Sequence, residues 1–389
     1  MRFLQTNLMN PQGYLTCTRS LGVKNSTKDF LCIISDRECN SAAVFTQSLF
    51  AGPSIKISKK HHALTSARGI VAISKNANVA TGVDGEEDAY RIIEEISRRT
   101  GLPSEKFLIA STGVIGRRYP IDKMIAQLHG IEQELESANF VAAAEAIMTT
   151  DTVPKYVSAK VGDAVIAGIA KGVGMIEPNM ATLLAFMMTD AQIQSAELDA
   201  IFRRVVETSF NCLSVDTDTS TSDMAVILAN GAAGAVNLAD FEAALAEVAT
   251  ALVKAIARDG EGATKLIEVT VSNAETDEQA KTIAKSIVNS PLVKTAVHGA
   301  DPNWGRVLMA IGKCSQYTSL QPEKIHVYFG DHEVYPALLD GENLKSIAQY
   351  LRSDTVAIRV SLNAGNCVST VWGCDLSAGY VKINADYTT

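Results

Sequence analysis

The 389 residues suffice for two or three domains, and 47% hydrophobic against 20% charged is the balance of a folded protein, which excludes a disordered one. A formal net charge of −8 argues against nucleic acid as a general partner, since phosphate binding needs a basic surface, although a local basic pocket remains compatible with it. Residues 1–14 carry Arg2 without a sustained apolar run, and the most apolar stretch, 165–188, is broken by Lys171, Glu177, Pro178 and Asn179. Neither a secretory leader nor a membrane span, which needs roughly 20 uninterrupted apolar residues, is therefore expected.

In chain order, short apolar runs at 30–35, 42–46, 54–58 and 69–74 are bounded by Asp, Gly, Pro and Asn and read as strands. A charged helix follows over 86–99, then a strand over 107–110 that leads into the turn Ser111-Thr112-Gly113-Val114-Ile115-Gly116. Residues 121–148 are helical in character, and 156–161 with 164–170 predict a strand pair turning at Gly162-Asp163. Phe241, Leu245, Val248, Leu252 and Ile256 recur at helical spacing behind an expected Asp240 cap and stop before Gly260. Thr276 with Gln279 has the capping-box pattern for a helix ending before Pro291. Beyond it come a strand over 325–329, a helix over 343–352, and strands over 355–361, 367–373 and 380–383. Strands and long helices do not alternate regularly, so an α+β fold with layered sheets and helices is expected, with its weak domain boundary in the polar stretch 272–277.

Seven cysteines (Cys17, Cys32, Cys39, Cys212, Cys314, Cys367, Cys374) are odd in number and lack a C-x-x-C pair, as expected of free, mostly buried thiols in a reducing cytoplasm. The six histidines show no metal-ligand spacing, and His61-His62, following Lys59-Lys60, read as a solvated surface turn. The phosphate loop G-x-x-x-x-G-K-[ST], the G-x-S-x-G elbow and the H-E-x-x-H helix are absent from the sequence. Gly172-Val173-Gly174 opens like a dinucleotide loop, but position 177 is Glu and the fingerprint fails.

One segment remains. In Lys171-Gly172-Val173-Gly174-Met175-Ile176-Glu177-Pro178-Asn179-Met180-Ala181-Thr182, two glycines and a Pro-Asn pair interrupt an apolar strand region, and these residues permit sharp turns. A turn before Thr182 aims its hydroxyl at the preceding carbonyl; attack there converts the Ala181–Thr182 amide to an ester, and water releases a new amino-terminal Thr. The freed α-amino group, with a pKa of about 7.7–8.0, is a base on the same residue as a hydroxyl that needs one. On spacing alone, a threonine in an apolar run is usually just an ordinary strand residue. The residues by themselves leave both readings open.

Seven stretches in fixed order resemble the ornithine acetyltransferase (glutamate N-acetyltransferase) family of the arginine pathway. They are 111–116, 148–155, 171–182, the run Ser214-Val215-Asp216 with Asp218-Thr219-Ser220-Thr221, Asp259-Gly260-Glu261-Gly262-Ala263-Thr264-Lys265, 299–306 and 383–387. The resemblance implies a self-cleaving threonine enzyme. Thr182 is then the nucleophile and the first residue of the β fragment, and Ala181 ends the α fragment. Thr112 and Gly113 form the oxyanion hole, where one donor is typically worth about 3–4 kcal/mol. Lys171, Glu261, Asn384 and Thr389 bind the charged ends of an amino-acid substrate, together with Thr149 or Thr150.

The fold expected is α+β: layered sheets flanked by helices, an αββα-like core, with a smaller C-terminal α/β domain. Its parts are the α fragment 1–181, the segment 182–274 completing the core, and a C-terminal domain 275–389 whose last strand and tail return to the site. The implied reaction is ping-pong: N-acetylornithine acetylates Thr182, ornithine leaves, and glutamate takes the acetyl group. It needs no cofactor and no metal. Some members also accept acetyl-CoA, and the expected partners are the two fragments themselves, as a heterotetramer of two α and two β in the cytoplasm. Val173, Glu177 and Lys75 within Ser74-Lys75-Asn76-Ala77-Asn78 depart from the usual pattern, which bears on substrate more than on reaction type. A variant acetyltransferase of secondary metabolism, an amino-terminal-nucleophile aminopeptidase or amidase, and a non-enzymatic binding protein are the rival readings.

Overall fold

The computed structural model describes residues 8–24, 27–177 and 183–386. Three five-stranded sheets organise it. The first runs, in order across it, Phe107–Ser111, Gly69–Ile73, Phe30–Ser35, Tyr14–Arg19 and Glu136–Ser137; the second runs Asn40–Phe45, Met224–Ala235, Leu184–Gln192, Ala164–Lys171 and Lys155–Val161. Alternation along the strands stacks these two sheets face to face. Leu31 and Ile33 of the first sheet meet Phe186, Met188, Val226 and Leu228 of the second in one core. The intervening Phe30, Cys32 and Ile34 face the other way, onto Ile92, Ile93 and Ile96 of helix Gly82–Thr100. Ala185, Met187 and Ile227 likewise turn outward onto helices Ser195–Thr208 and Leu238–Arg258. The result is the expected helix–sheet–sheet–helix layering.

The third sheet runs His332–Tyr335, His326–Phe329, Thr355–Ser361, Leu266–Ala274 and Cys367–Cys374. Val269, Val271, Ile358 and Val360 on one face pack with Ala280, Ile283, Ala284 and Ile287 of helix Asp277–Val288. Thr276 caps that helix as expected, accepting from Gln279 N at 3.1 Å, while the Gln279 side chain accepts from Glu275 N at 2.8 Å. The strand Leu266–Ala274 belongs to this sheet, so the polar stretch 272–277 begins inside a strand and the third layer starts before it.

Five readings of local structure change. Residues 54–58 lie not in a strand but in helix Pro53–Leu64, started by Pro at its first turn. Their alternation has another cause: Ile55 faces the core between the sheets and Ile57 the core outside the first sheet, because this helix is buried on two sides. His61 and His62 belong to the same helix, not to a solvated turn. His61 is buried with Nδ1 2.9 Å from Phe107 O, and burial pushes the His62 pKa down. Residues 121–148 break into Ile121–Gln127, Ile131–Glu134, the edge strand Glu136–Ser137 and Phe140–Ile147, with Gly130 at φ +84° making the first break.

The last strand, expected over 380–383, is helix Ala378–Ala385, capped by Ser377 accepting from Gly379 N. Gly262, at φ +70°, lets it dock closely: a Cβ there would lie 2.3 Å from Tyr380 N. The long helix Leu238–Arg258 is capped by Asn237, which accepts from Ala239 N and Asp240 N, in place of the expected Asp240. Among the described residues no helix is long and apolar enough to cross a membrane.

Candidate active site

Strand ends converge at one rim of the stacked sheets. In the second sheet Leu184 pairs with Lys171 on one side and Met224 on the other, so the chain entering at Leu183 is flanked by the end of one strand and the start of another. In the first sheet Ser111 ends its strand opposite Ile73, and Thr112 and Gly113 turn away from it. The turn is tight: Gly113 has φ +130°, and a Cβ would lie 2.3 Å from the Lys75 carbonyl carbon. No side chain fits there.

These ends open into a cavity of about 310 Å³. Of the residues singled out from the sequence, Thr112, Gly113, Thr149, Thr150, Lys171, Glu261 and Asn384 all line it. Ala181, Thr182 and Thr389 lie outside the described residues. Five separate stretches knit the lining. The Glu261 carboxylate accepts from Thr150 Oγ1 at 2.9 Å and from Asn384 Nδ2 at 2.9 Å, and Lys171 Nζ donates to Thr112 Oγ1 at 3.0 Å. A cation and an anion thus share one chamber. Burial pushes the Lys171 pKa down, opposed by the carboxylates of Asp151 and Asp223.

Thr149 and Thr150 do different work. The Thr149 amide donates to Asp151 Oδ2 at 3.0 Å, whereas the Thr150 hydroxyl reaches Glu261. Asp151 Oδ1 accepts from Gly172 N at 2.8 Å and from Lys155 Nζ at 2.7 Å, and Lys155 Nζ also reaches Asp259 at 2.7 Å. Burial alone would raise the Asp151 pKa, but Lys155 and Lys171 hold it down at about 2. This buried Asp–Lys–Asp cluster, spelled in part by the i,i+4 spacing of Asp151 and Lys155, fixes the segment that carries Lys171.

The arm Gly172 to Glu177 is held from the other side of the sequence. Asp216 accepts from Met175 N at 2.7 Å and Ile176 N at 2.8 Å, and Val215 N donates to Ile176 O at 2.8 Å. Glu261 N donates to Val173 O at 2.8 Å, and Glu177 Oε2 accepts from Ser214 Oγ at 3.0 Å and Asn289 Nδ2 at 2.5 Å. The unfamiliar Glu177 is therefore a tether. Sequence reasoning missed Asp216, Gly174 and Asp223 as site residues; Asp223 hides behind a Thr-Ser-Thr-Ser run as an ordinary strand-start residue.

The chain is similar to known proteins over nearly its whole length. The ArgJ family model matches residues 16–389. The chain is 56% identical to the arginine biosynthesis bifunctional protein ArgJ 2 of Nostoc sp., over 97% of this chain and 98% of that one. It is 51% identical to the glutamate N-acetyltransferase Oat2 of Streptomyces clavuligerus, again over 97% and 98%. Among solved structures, an ArgJ chain from Bacillus halodurans is 41% identical and superposes with a TM-score of 0.48 over 52% of this chain and 98% of that one. With its family model spanning nearly all of its length, this chain belongs to the ArgJ family.

Proposed function

We propose that the chain moves an acetyl group from N-acetylornithine to glutamate through an acyl-enzyme on Thr182, after cutting itself between Ala181 and Thr182. ArgJ-family enzymes are acyltransferases, so acetyl transfer in arginine biosynthesis is the activity of this chain. The observation that supports the substrate reading is the presence of Lys171 and Glu261 in the lining of one cavity. An acylated amino acid carries a carboxylate at one end, and ornithine adds an ammonium at the other; a lysine and a glutamate in one lining suit both.

In the reaction, the Thr182 hydroxyl attacks the acetyl carbonyl and its α-amino group takes the proton. Thr112 is suited to the developing oxyanion: its amide is engaged by Ile73 O at 2.9 Å, and its Oγ1 accepts from Lys171, which frees the hydroxyl proton to donate. The Gly113 turn brings bare backbone to the same place. Ornithine departs with the proton, glutamate binds, and its amine takes the acetyl group from the ester. Acetyl-CoA as a second donor, a heterotetramer of two α and two β fragments, and a cytoplasmic location complete the proposal; the seven unpaired thiols support the last.

Denaturing mass spectrometry tests the cleavage: two fragments divided before Thr182 are expected, and one intact species near 41.5 kDa in active protein would overturn it. Thr182→Ala should stay whole, folded and inactive. Incubation of acetylornithine with and without glutamate tests the transfer, since a hydrolase releases free acetate at the same rate either way.

A further inference from the structure

Self-cleavage faces a difficulty that later turnovers escape. Once Thr182 is an amino terminus, its own amine accepts the hydroxyl proton. Before the cut that nitrogen is an amide and has no useful basicity, so the first attack needs a different base. The strand register shows where to look. Leu184 pairs with Met224, and Met224 N donates to Leu183 O at 3.0 Å, so Asp223, the residue before that strand, lies abreast of Leu183, the residue bonded to Thr182.

Asp223 is 3% exposed, and among the described residues its Oδ2 has no hydrogen-bond partner. With Thr112, Lys171, Leu183 and Ser222 it lines a void of about 20 Å³ beside the main cavity. A buried carboxylate oxygen left without a donor is expensive unless it serves a purpose, because desolvation of such a group goes uncompensated. We propose that Asp223 is the general base of self-cleavage, its Oδ2 receiving the Thr182 hydroxyl proton and passing it to the departing nitrogen.

The proposal rests on the reading that the chain cuts itself before Thr182. As the Thr182 Oγ–H bond breaks, Oγ bonds to the Ala181 carbonyl carbon. The C–N bond then breaks, the nitrogen takes the proton from Asp223, and an ester and a free amine result. Water adds to the ester carbonyl, the Oγ–C bond breaks, the hydroxyl regains its proton, and Ala181 ends as a carboxyl group. Asp223 is ionised again for no further use, since the new amine takes over.

Burial pushes the Asp223 carboxyl well above the usual carboxylate range, toward the pH at which a base is most effective; a hydrogen bond from Ser220 and the charge of Lys171 pull it back. The charged groups around it are Lys171, with Asp151 and Glu261 beyond that lysine, and Lys59 of helix Pro53–Leu64, whose Nζ is held by Thr46 O while Thr46 N donates to Asp223 O. Lys171 is the rival base; burial favours its neutral form, while the carboxylates of Asp151, Asp223 and Glu261 favour the charged form, which has no lone pair to accept a proton.

The test uses full-length wild-type, Asp223→Asn and Asp223→Glu chains made by cell-free synthesis, with the cleaved fraction followed over time by denaturing mass spectrometry from about pH 5 to about pH 9. Wild-type cleavage should speed up with pH through an inflection above the ordinary carboxylate range. Asp223→Asn should be slower by on the order of 100-fold and lose that inflection, with Asp223→Glu recovering part of the rate. Cleavage of Asp223→Asn at the wild-type rate, or slowed with the inflection unmoved, overturns the proposal. So does a flat wild-type profile, which decides the matter even if the Asn variant fails to fold. A wild-type chain that stays whole overturns self-cleavage itself, and this proposal with it.

Discussion

The α-carbon of Gly174 faces the carboxylate of Glu261 so closely that a Cβ at position 174 would lie 2.6 Å from Oε2. Glu261 has nowhere equivalent to go, because Oε1 is held by Thr150 and Oε2 by Asn384. A glycine in the arm Gly172 to Glu177 thus sets the position of the anion that shares the cavity lining with Lys171.

Gly174→Ala isolates that relationship. The backbone at 174 is one an alanine adopts without strain, and the clash falls on the far end of a flexible side chain, so stability should change little. Displacing Glu261 weakens the charge-assisted contact proposed for the substrate ammonium, worth about 1.5–3 kcal/mol, and the KM for acetylornithine should rise by about tenfold or more. A thermal melt beside steady-state kinetics checks both halves; an unchanged KM contradicts the geometry.

Thr149 and Thr150 separate by the same logic. Thr150→Ala frees one oxygen of Glu261 and so loosens the carboxylate proposed to bind the substrate ammonium, which should raise KM by up to about tenfold. In Thr149→Ala the backbone bond to Asp151 survives, and the lost side-chain contact is long at 3.4 Å. That variant should change KM by less. The ratio of the two KM values is the measurement, and a larger effect at Thr149 would assign the substrate contact to it directly.

The sequence carried the layers and much of the site, for reasons visible in single residues. Phe30 to Ser35 alternate between two real cores, and the strand pair turning at Gly162-Asp163 is fixed by local chemistry. Helix Ala378–Ala385 escaped because none of its residues is buried, so no 3.6-residue stripe exists to read; Tyr380, Val381 and Ile383 then mimic a strand. Helix Pro53–Leu64 escaped for the opposite reason, being buried on two sides. The role of Lys75 was likewise invisible: it sits at φ +73°, where glycine is favoured, against the Gly113 turn. Asp216 holds an arm some forty residues earlier in the chain, and Asp223 lines a void with Thr112 and Lys171; spacing cannot reveal either.

Asp216→Ala tests the arm. Its carboxylate holds two consecutive amides, Met175 N and Ile176 N, and their loss leaves the stretch before the cut tethered by Glu177 and the Val215 backbone. Self-cleavage depends on aligning a hydroxyl with a carbonyl, so it should slow by about tenfold or more. Limited proteolysis of the variant should cut within 172–177, where the wild type resists. Wild-type cleavage with unchanged protease resistance would show the remaining tethers to be sufficient.

Acid should loosen the floor of the site before the rest of the molecule. The Asp151 carboxyl is held at about 2, below its unfolded value of about 3.9, so its contribution is fully present above pH 4 or so and is lost as pH falls toward about 2. The corresponding stabilisation is about 2 kcal/mol. Lys155→Met removes the buried cation shared by Asp151 and Asp259 and strands both carboxylates, which typically costs about 3–5 kcal/mol. Without Lys155 the Asp151 pKa should rise, since burial then acts with only Lys171 and the Thr149 amide bond opposing it. Urea unfolding at a series of pH values should show a lower midpoint for Lys155→Met at neutral pH and an acid decline that begins at higher pH than in the wild type. Coincident pH dependence in the two proteins would mean that the Asp–Lys–Asp cluster does not carry the acid sensitivity.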